Sequence, residues 1–299
     1  MSGWRERAVD RGYQAGWAVV RRAPAGLARK VFDTAGTVAG KRHGGPTQLR
    51  KNLARILYTT PAAVPDELMA QAMRSYARYW REAFRLPSTD PAQIVAAVRI
   101  SDDDAALVDR SVASGRGVIF ALPHSGNWDT CGVWLVNRHG RFTTVAERLN
   151  PESLFDRFIE FREGLGFEVF PLTGGEQPPF QLLAERLRAG GTVCLLGDRD
   201  LSRHGVPVTF FGEPTRMPAG PAKLAIETGA VLVAAHHSYP DAHTSQIVMT
   251  EIEVDGVEAT TQRLADAFAA TIAAAPADWH MLQPLWEADW SAERRERLA

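Results

Sequence analysis

Cysteine is nearly absent: Cys131 and Cys194 are the two in 299 residues, and each sits inside an apolar stretch far from the other. That excludes a disulfide framework and a cysteine-based metal site, and it suits a reducing compartment. No run of about 18 uninterrupted apolar residues occurs, so a spanning helix is not expected. The charged opening Trp4-Arg-Glu-Arg lacks the apolar core of a signal peptide, which points to a chain made and kept in the cytoplasm. Several catalytic signatures are missing as well. There is no G-x-S-x-G elbow, no G-x-x-x-x-G-K-[ST] loop, no H-E-x-x-H and no G-x-G-x-x-G after a strand. His236-His237 stands without an acidic or cysteine partner set, so zinc is not expected there.

What is present begins with a hidden charge split. The net charge is -1, yet residues 1–55 hold twelve Lys and Arg against three acids, a net +9 that leaves -10 in the remainder. Between Tyr13 and Val38 the cations are interleaved with Trp17, Val19, Val20, Leu27, Val31 and Phe32. Such a segment lies at an anionic membrane surface, or packs on its own domain with its arginines in water. No recognition motif accompanies the charge, so nucleic acid is not an expected partner. The organisation expected is a basic amphipathic segment over residues 1–60, packed on a single α/β domain over residues 61–299.

From Pro65 to Leu86 apolar and aromatic residues recur at three- and four-residue intervals, which predicts a helix. Beyond it, β-rich runs alternate with helical patterns. Strands are predicted at Val118-Leu122, Phe142-Ala146, Glu168-Phe170, Thr192-Leu196, Val231-Ala235 and Gln246-Val254. Helices are predicted at Trp128-Arg138, Pro151-Gly164, Pro179-Ala189, Pro218-Thr228 and Ala259-Ala274. The rhythm indicates an α/β fold with a mixed, mostly parallel central sheet flanked by helices. The last strand follows the Pro240-Asp241 turn and is expected to run antiparallel to its neighbour.

Ligands collect at the carboxyl ends of strands in open α/β sheets, and the chemistry-bearing residues fall there. His124 follows Val118-Leu122, and Asp129 stands five residues on in His124-Ser-Gly-Asn-Trp-Asp129. An imidazole takes a proton from a hydroxyl near neutral pH, and a carboxylate beside it stabilises the imidazolium, so the pairing suggests activation of an alcohol. Ser125, Gly126 and Asn127 are expected to expose backbone N–H groups that hold a developing oxyanion. After Thr192-Leu196 come Asp198, Arg199 and Asp200; either carboxylate can serve His124, or both can form a surface ion pair with Arg199. Arg216 and Arg148, near other strand ends, can meet a phosphate or carbonyl oxygen, or stand idle at the surface.

His124-Ser-Gly-Asn-Trp-Asp129, Glu147-Arg-Leu-Asn-Pro-Glu152, Gly197-Asp-Arg-Asp200 and Phe211-Gly-Glu-Pro-Thr-Arg-Met-Pro-Ala-Gly220 together resemble the bacterial lipid A late acyltransferase family. The likeness extends to Trp286 and is strongest to the actinobacterial branch acting on phosphatidylinositol mannosides. It implies a glycerolipid acyltransferase-like fold and a peripheral enzyme at the cytoplasmic face of the membrane. The reaction implied moves a long acyl chain, palmitoyl typically, from acyl-CoA as co-substrate to a mannose 6-hydroxyl, with no permanently bound cofactor and no metal. By the family's motifs His124 is the general base, Asp129 its partner and Asp198 the third acidic residue, where the family usually has glutamate. Arg148, Asn150, Asp200, Arg216 and Trp128 are the substrate-binding candidates, and the helix from Tyr76 to Phe84 with Trp128 and Trp134 is expected to line an acyl groove. Rival readings are the same fold with a lipid A precursor or lysophospholipid acceptor, a soluble thioesterase, and a noncatalytic protein of anionic membranes.

Overall fold

Val118–Leu122 is buried along its whole length, and only a strand in the middle of a sheet needs such a continuous apolar run. The computed structural model, which describes residues 16–147, 159–174, 177–200 and 204–298, places it there. Seven strands form the sheet: β1 (Val98–Arg99), β2 (Val118–Leu122), β3 (Phe142–Ala146), β4 (Phe167–Pro171), β5 (Thr192–Leu196), β8 (Val231–Ser238) and β9 (Ser245–Ile252), in the order β1-β9-β8-β2-β5-β3-β4. The segment from β8 through β2, β5 and β3 to β4 is parallel, and β9 runs antiparallel to β8. The sheet is therefore mixed and mostly parallel. A separate antiparallel pair, β6 (Val206–Phe210) and β7 (Glu213–Met217), turns through Phe211 and Gly212, both at positive φ. Its strands carry Pro207 and Pro214, which remove ladder donors and hide a strand from pattern reading.

Strand residues alternate between two cores. Ile119, Ala121, Val193 and Leu232 face a cluster shared with α2 (Thr47–Ile56), α7 (Pro179–Arg188), α8 (Gly220–Thr228), α9 (Val257–Ala274) and the β6–β7 pair. Val118, Phe120, Leu122 and Val233 face the other, covered by α4 (Pro91–Ala97), α5 (Asp102–Ala113) and α6 (Trp128–His139). Leu49, Leu53 and Ile56 of α2 lie in the same cluster as Trp279 and Trp286, so the N-terminal residues share the sheet's core. A last helix, α10, spans Ala292–Leu298.

Glu82 of α3 (Asp66–Arg85) bonds Asn127 in the turn after β2, and α1 (Ala25–Lys41) packs on α3. They touch backbone to backbone through two glycines four residues apart: a Cβ on Gly36 would lie 2.6 Å from the Met73 carbonyl oxygen, and one on Gly40 2.6 Å from Ala70 Cα. Gly40→Ala gains about 1 kcal/mol of helix propensity but forces the helices apart, at a cost of about 1–3 kcal/mol. The variant should unfold at a lower temperature than the wild type; an unchanged or higher midpoint would mean that α1 is not held by this contact.

Candidate active site

The strand β2 ends at Leu122, and the chain turns through Pro123, His124 and Gly126 into α6. Gly126 sits at φ +53°, and a Cβ there would overlap the His237 ring, so the turn closes this tightly only with glycine. Asn127 caps α6: its side-chain oxygen accepts from the Asp129 and Thr130 backbone N–H groups.

Across from this turn, β5 delivers Asp198, which is fully buried. Its Oδ1 lies 2.5 Å from His124 Nδ1, and its Oδ2 accepts from the His124 backbone N–H and from the Trp279 indole, both at 2.9 Å. Burial pushes the Asp198 carboxyl up, but the nearby His124 and the hydrogen bonds it accepts outweigh this and leave it below the usual range. With Nδ1 donating to Asp198, the basic nitrogen is Nε2, which no described residue bonds, on a side chain 30% exposed. A buried carboxylate, an oriented imidazole and an accessible nitrogen are an arrangement that can take a proton from a hydroxyl.

A second wall fixes the imidazole's backbone. Ser125 bridges Trp279, the His280 N–H donates to the His124 carbonyl at 2.8 Å, and the Gly126 N–H donates to the Asp278 carbonyl at 2.8 Å. Asp278 in turn accepts from Ser75 and from the Tyr239 N–H, while Ser75 also meets His280. Burial pushes the His280 imidazole down to about 3, with His124 adding to the effect, so this second histidine is neutral.

These bonds consume the turn. His124 N–H goes to Asp198, Ser125 N–H to the Pro123 carbonyl, Gly126 N–H to Asp278 and Asn127 N–H to His237 Nδ1. The expectation that this turn exposes oxyanion-binding amides is therefore corrected: four successive N–H groups are already spent on holding it.

Asp129 also lies elsewhere than the spacing suggested. It is buried in the first turn of α6, and its carboxylate bonds Arg162 at 2.9 and 3.4 Å; of the three carboxylates put forward from the sequence, Asp129, Asp198 and Asp200, Asp198 is the one bonded to His124. The Arg162 guanidinium lies 4.1 Å over the Trp128 ring, so Asp129, Arg162 and Trp128 form one unit beneath the turn. Asp200 lies beside Gly205, whose carbonyl accepts from Arg216 at 3.1 Å, and the His124 ring bonds Asp198 rather than either of these. Arg148 and Asn150, with the first part of the helix predicted at Pro151-Gly164, lie outside the described residues.

Under α6 runs an apolar seam lined by Phe120, Leu122, Trp128, Gly132, Trp134 and both cysteines, with a free volume of about 30 Å³. Trp128 and Trp134, two of the residues expected to line an acyl groove, stand in this seam. The aromatics of α3 do not: Tyr76 and Tyr79 pack on the His280 ring at 5.5 and 6.0 Å, and Phe84 packs on Trp17 at 5.7 Å. Among the described residues no group of three His, Cys, Asp or Glu side chains could hold a metal.

The model of the bacterial lipid A biosynthesis acyltransferase family matches residues 6–288, nearly the whole chain. The chain belongs to that family. Curated relatives include a phosphatidylinositol mannoside acyltransferase of Mycolicibacterium smegmatis, 56% identical over 292 residues, covering 97% of this chain and 95% of the relative. One of Mycobacterium tuberculosis is 55% identical over 293 residues, covering 97% and 92%. Sequence reasoning missed this family member's Trp279, His280, Ser75 and Arg162. Asp278-Trp-His280 was the readable signal, a carboxylate, an indole and an imidazole together just after a helix.

The lowered Asp198 carboxyl has a consequence for folding. A carboxyl depressed in the folded state contributes stability that is present above its unfolded value, about 3.9, and is lost as pH falls through the folded value. Denaturant titrations of wild type and Asp198→Asn should differ most at neutral pH and converge as pH falls below about 4. A gap independent of pH would show that the carboxylate's charge does not hold the turn.

Proposed function

We propose that the chain is an acyl-CoA-dependent O-acyltransferase that moves a long acyl group, palmitoyl in the first instance, to a mannose 6-hydroxyl of a phosphatidylinositol mannoside. The observation that carries this is His124, held at Nδ1 by buried Asp198 with Nε2 left unbonded. The family and the relatives' names supply the acyl transfer and the acceptor class.

In this reading Nε2 removes the sugar hydroxyl's proton as the oxygen attacks the thioester carbonyl. The tetrahedral intermediate then expels the CoA thiolate, which takes the proton back from the imidazolium. Asp198 stabilises that imidazolium without itself gaining the proton. With the turn's amides engaged, the oxyanion falls to a side-chain donor such as Arg216. Asp129 acts as a positioning residue, fixing the start of α6 through Arg162.

The acyl chain is assigned to the seam beneath α6. About 30 Å³ is one water's share of liquid volume, and a seam so apolar stays dry, so side chains must part to admit a chain. Membrane attachment is assigned to the N-terminal face. Val19, Leu27, Val31 and Val38 are 55–68% exposed beside exposed Arg21, Arg22 and Lys30, a mixture of apolar and cationic groups that suits an anionic surface. No helix among the described residues is long and apolar enough to cross a membrane.

Incubating the protein with palmitoyl-CoA and phosphatidylinositol, its mannosides, lysophospholipids or lipid A precursors should add an acyl mass to the mannosides alone. Release of CoA without any acceptor would instead make it a thioesterase. His124→Ala should lower transfer by about 100-fold or more while leaving the fold intact by circular dichroism; near-normal transfer would remove His124 from the mechanism. Cys131→Phe, which narrows the seam, should shift donor preference from palmitoyl-CoA toward shorter acyl chains in a competition assay. Unchanged preference would place the chain elsewhere.

A further inference from the structure

Beside the catalytic turn, a cleft of about 440 Å³ opens between α1, α3 and the β8–β9 loop. Four guanidinium groups line it, those of Arg29, Arg78, Arg81 and Arg85, against one carboxylate, Glu82. That carboxylate is already saturated. Its Oε1 accepts from Arg78 at 2.6 Å, and its Oε2 accepts from the Asn127 amide and the Tyr239 hydroxyl, each at 3.1 Å.

Three of the four cations have their bonds. Arg78 also donates to the Asp241 and Thr244 carbonyls and lies 3.8 Å over the Tyr239 ring. Arg85 donates to the Val20 and Ala23 carbonyls at 2.8 and 2.7 Å, and Arg29 donates to His243 Nε2 at 3.0 Å. Arg81 is the exception. It is only 8% exposed, yet it reaches Glu82 Oε1 at a marginal 3.4 Å and Asp33 at 3.9 Å, and nothing else among the described residues. Held only by these two long contacts, the Arg81 guanidinium keeps donor capacity that an added anion can fill.

We propose that this cleft is a phosphate-ester site in which Arg81, flanked by Arg29 and Arg85, binds the phosphodiester of the acceptor's headgroup. Guanidinium forks match phosphate oxygens in geometry and charge. The volume exceeds a bare phosphate and lies in the range of ligand pockets, which leaves room for an attached polyol ring. The nucleotide end of the acyl donor carries the same chemistry. The headgroup is favoured because Ala25 and Gly26 of α1 line the cleft next to exposed Leu27 and Val31, so its mouth adjoins the apolar face assigned to the membrane. The Glu82–Asn127 bond ties the cleft to the cap of α6, and so to the turn that carries His124. The headgroup assignment rests on the acceptor proposed above; the phosphate chemistry does not.

Calorimetric titration of the full chain with inorganic phosphate, glycerophosphoinositol and CoA tests it without reference to turnover. Glycerophosphoinositol should bind the wild type, lose 10- to 100-fold in affinity in Arg81→Gln, and recover in part in Arg81→Lys. The ligand-free Arg81→Gln variant should melt no lower than the wild type, since it loses an underpaired buried charge, whereas a purely structural arginine would lower the midpoint. If Arg81→Gln does not fold, Arg29→Gln carries the same test with a smaller loss. A loss confined to CoA, or as large for CoA, would keep the phosphate site and overturn the headgroup assignment. Undiminished binding of all three ligands in a folded variant would overturn the site. Acyl transfer to a mannolipid alongside that result would leave the function standing, and phosphate binding without any transfer would do the reverse.

Discussion

One buried carboxylate holds the mouth of the sheet together. Asp198 sits at the end of β5 with no exposure, and it accepts from the His124 ring, the His124 backbone and the Trp279 indole. Burying a carboxylate is expensive unless its lone pairs are filled, so these donors are obligatory. The consequence is geometric: the β2 and β5 ends and the segment around Trp279 are fastened at one point, with the imidazole on its outer side. An imidazole held in this way needs no loop closure to be oriented. What remains open is the nitrogen facing solvent.

The strand ends were readable because each follows an apolar run, and runs of that kind in the middle of a parallel sheet look the same wherever they occur. β2, β3 and β5 lie where periodicity put them, and β8–β9 is antiparallel as the Pro240-Asp241 turn implied. The short β1, the proline-bearing β6–β7 pair and the helices α2, α4 and α5 were not read, since none combines length with a clean period. Partner choice was the harder matter. Asp129 stands near His124 in the chain, yet a residue in the first turn of a helix points along that helix, and its cation comes from 33 residues downstream. Asp198 comes from a neighbouring strand, 74 residues from His124. Sequence proximity pointed to Asp129, whereas the parallel register of β2 and β5 sets Asp198 beside His124.

The aromatic stripe of α3 forms the helix that its period predicts, and its rings lie away from the seam beneath α6. Its rings instead surround His280 and pack on Trp17, so that the helix shields the second wall of the site from water. Such desolvation keeps His280 neutral, which matters because a cation there would repel the imidazolium expected on His124 during proton transfer. His237 is held neutral for the same reason, and its Nδ1 is then free to accept the Asn127 N–H. Two histidines around the His124 turn are thus removed by burial from titration near neutral pH.

Two carboxylates divide the labour on either side of Asn127. Asp198 orients the imidazole, whereas Glu82 gathers Arg78, Tyr239 and the Asn127 amide and so joins α3 to the cap of α6. Glycines 36 and 40 bring α1 into backbone contact with α3, and that close approach is what sets Arg29 and Arg81 around one cleft. If α1 lay farther out, the cations would separate into solvent and lose their hold on an anion. The same packing leaves Leu27, Val31 and Val38 on the outer face. The helix that completes the cleft is thus also the one that presents apolar side chains outward, and a lipid whose headgroup entered the cleft would meet both at once.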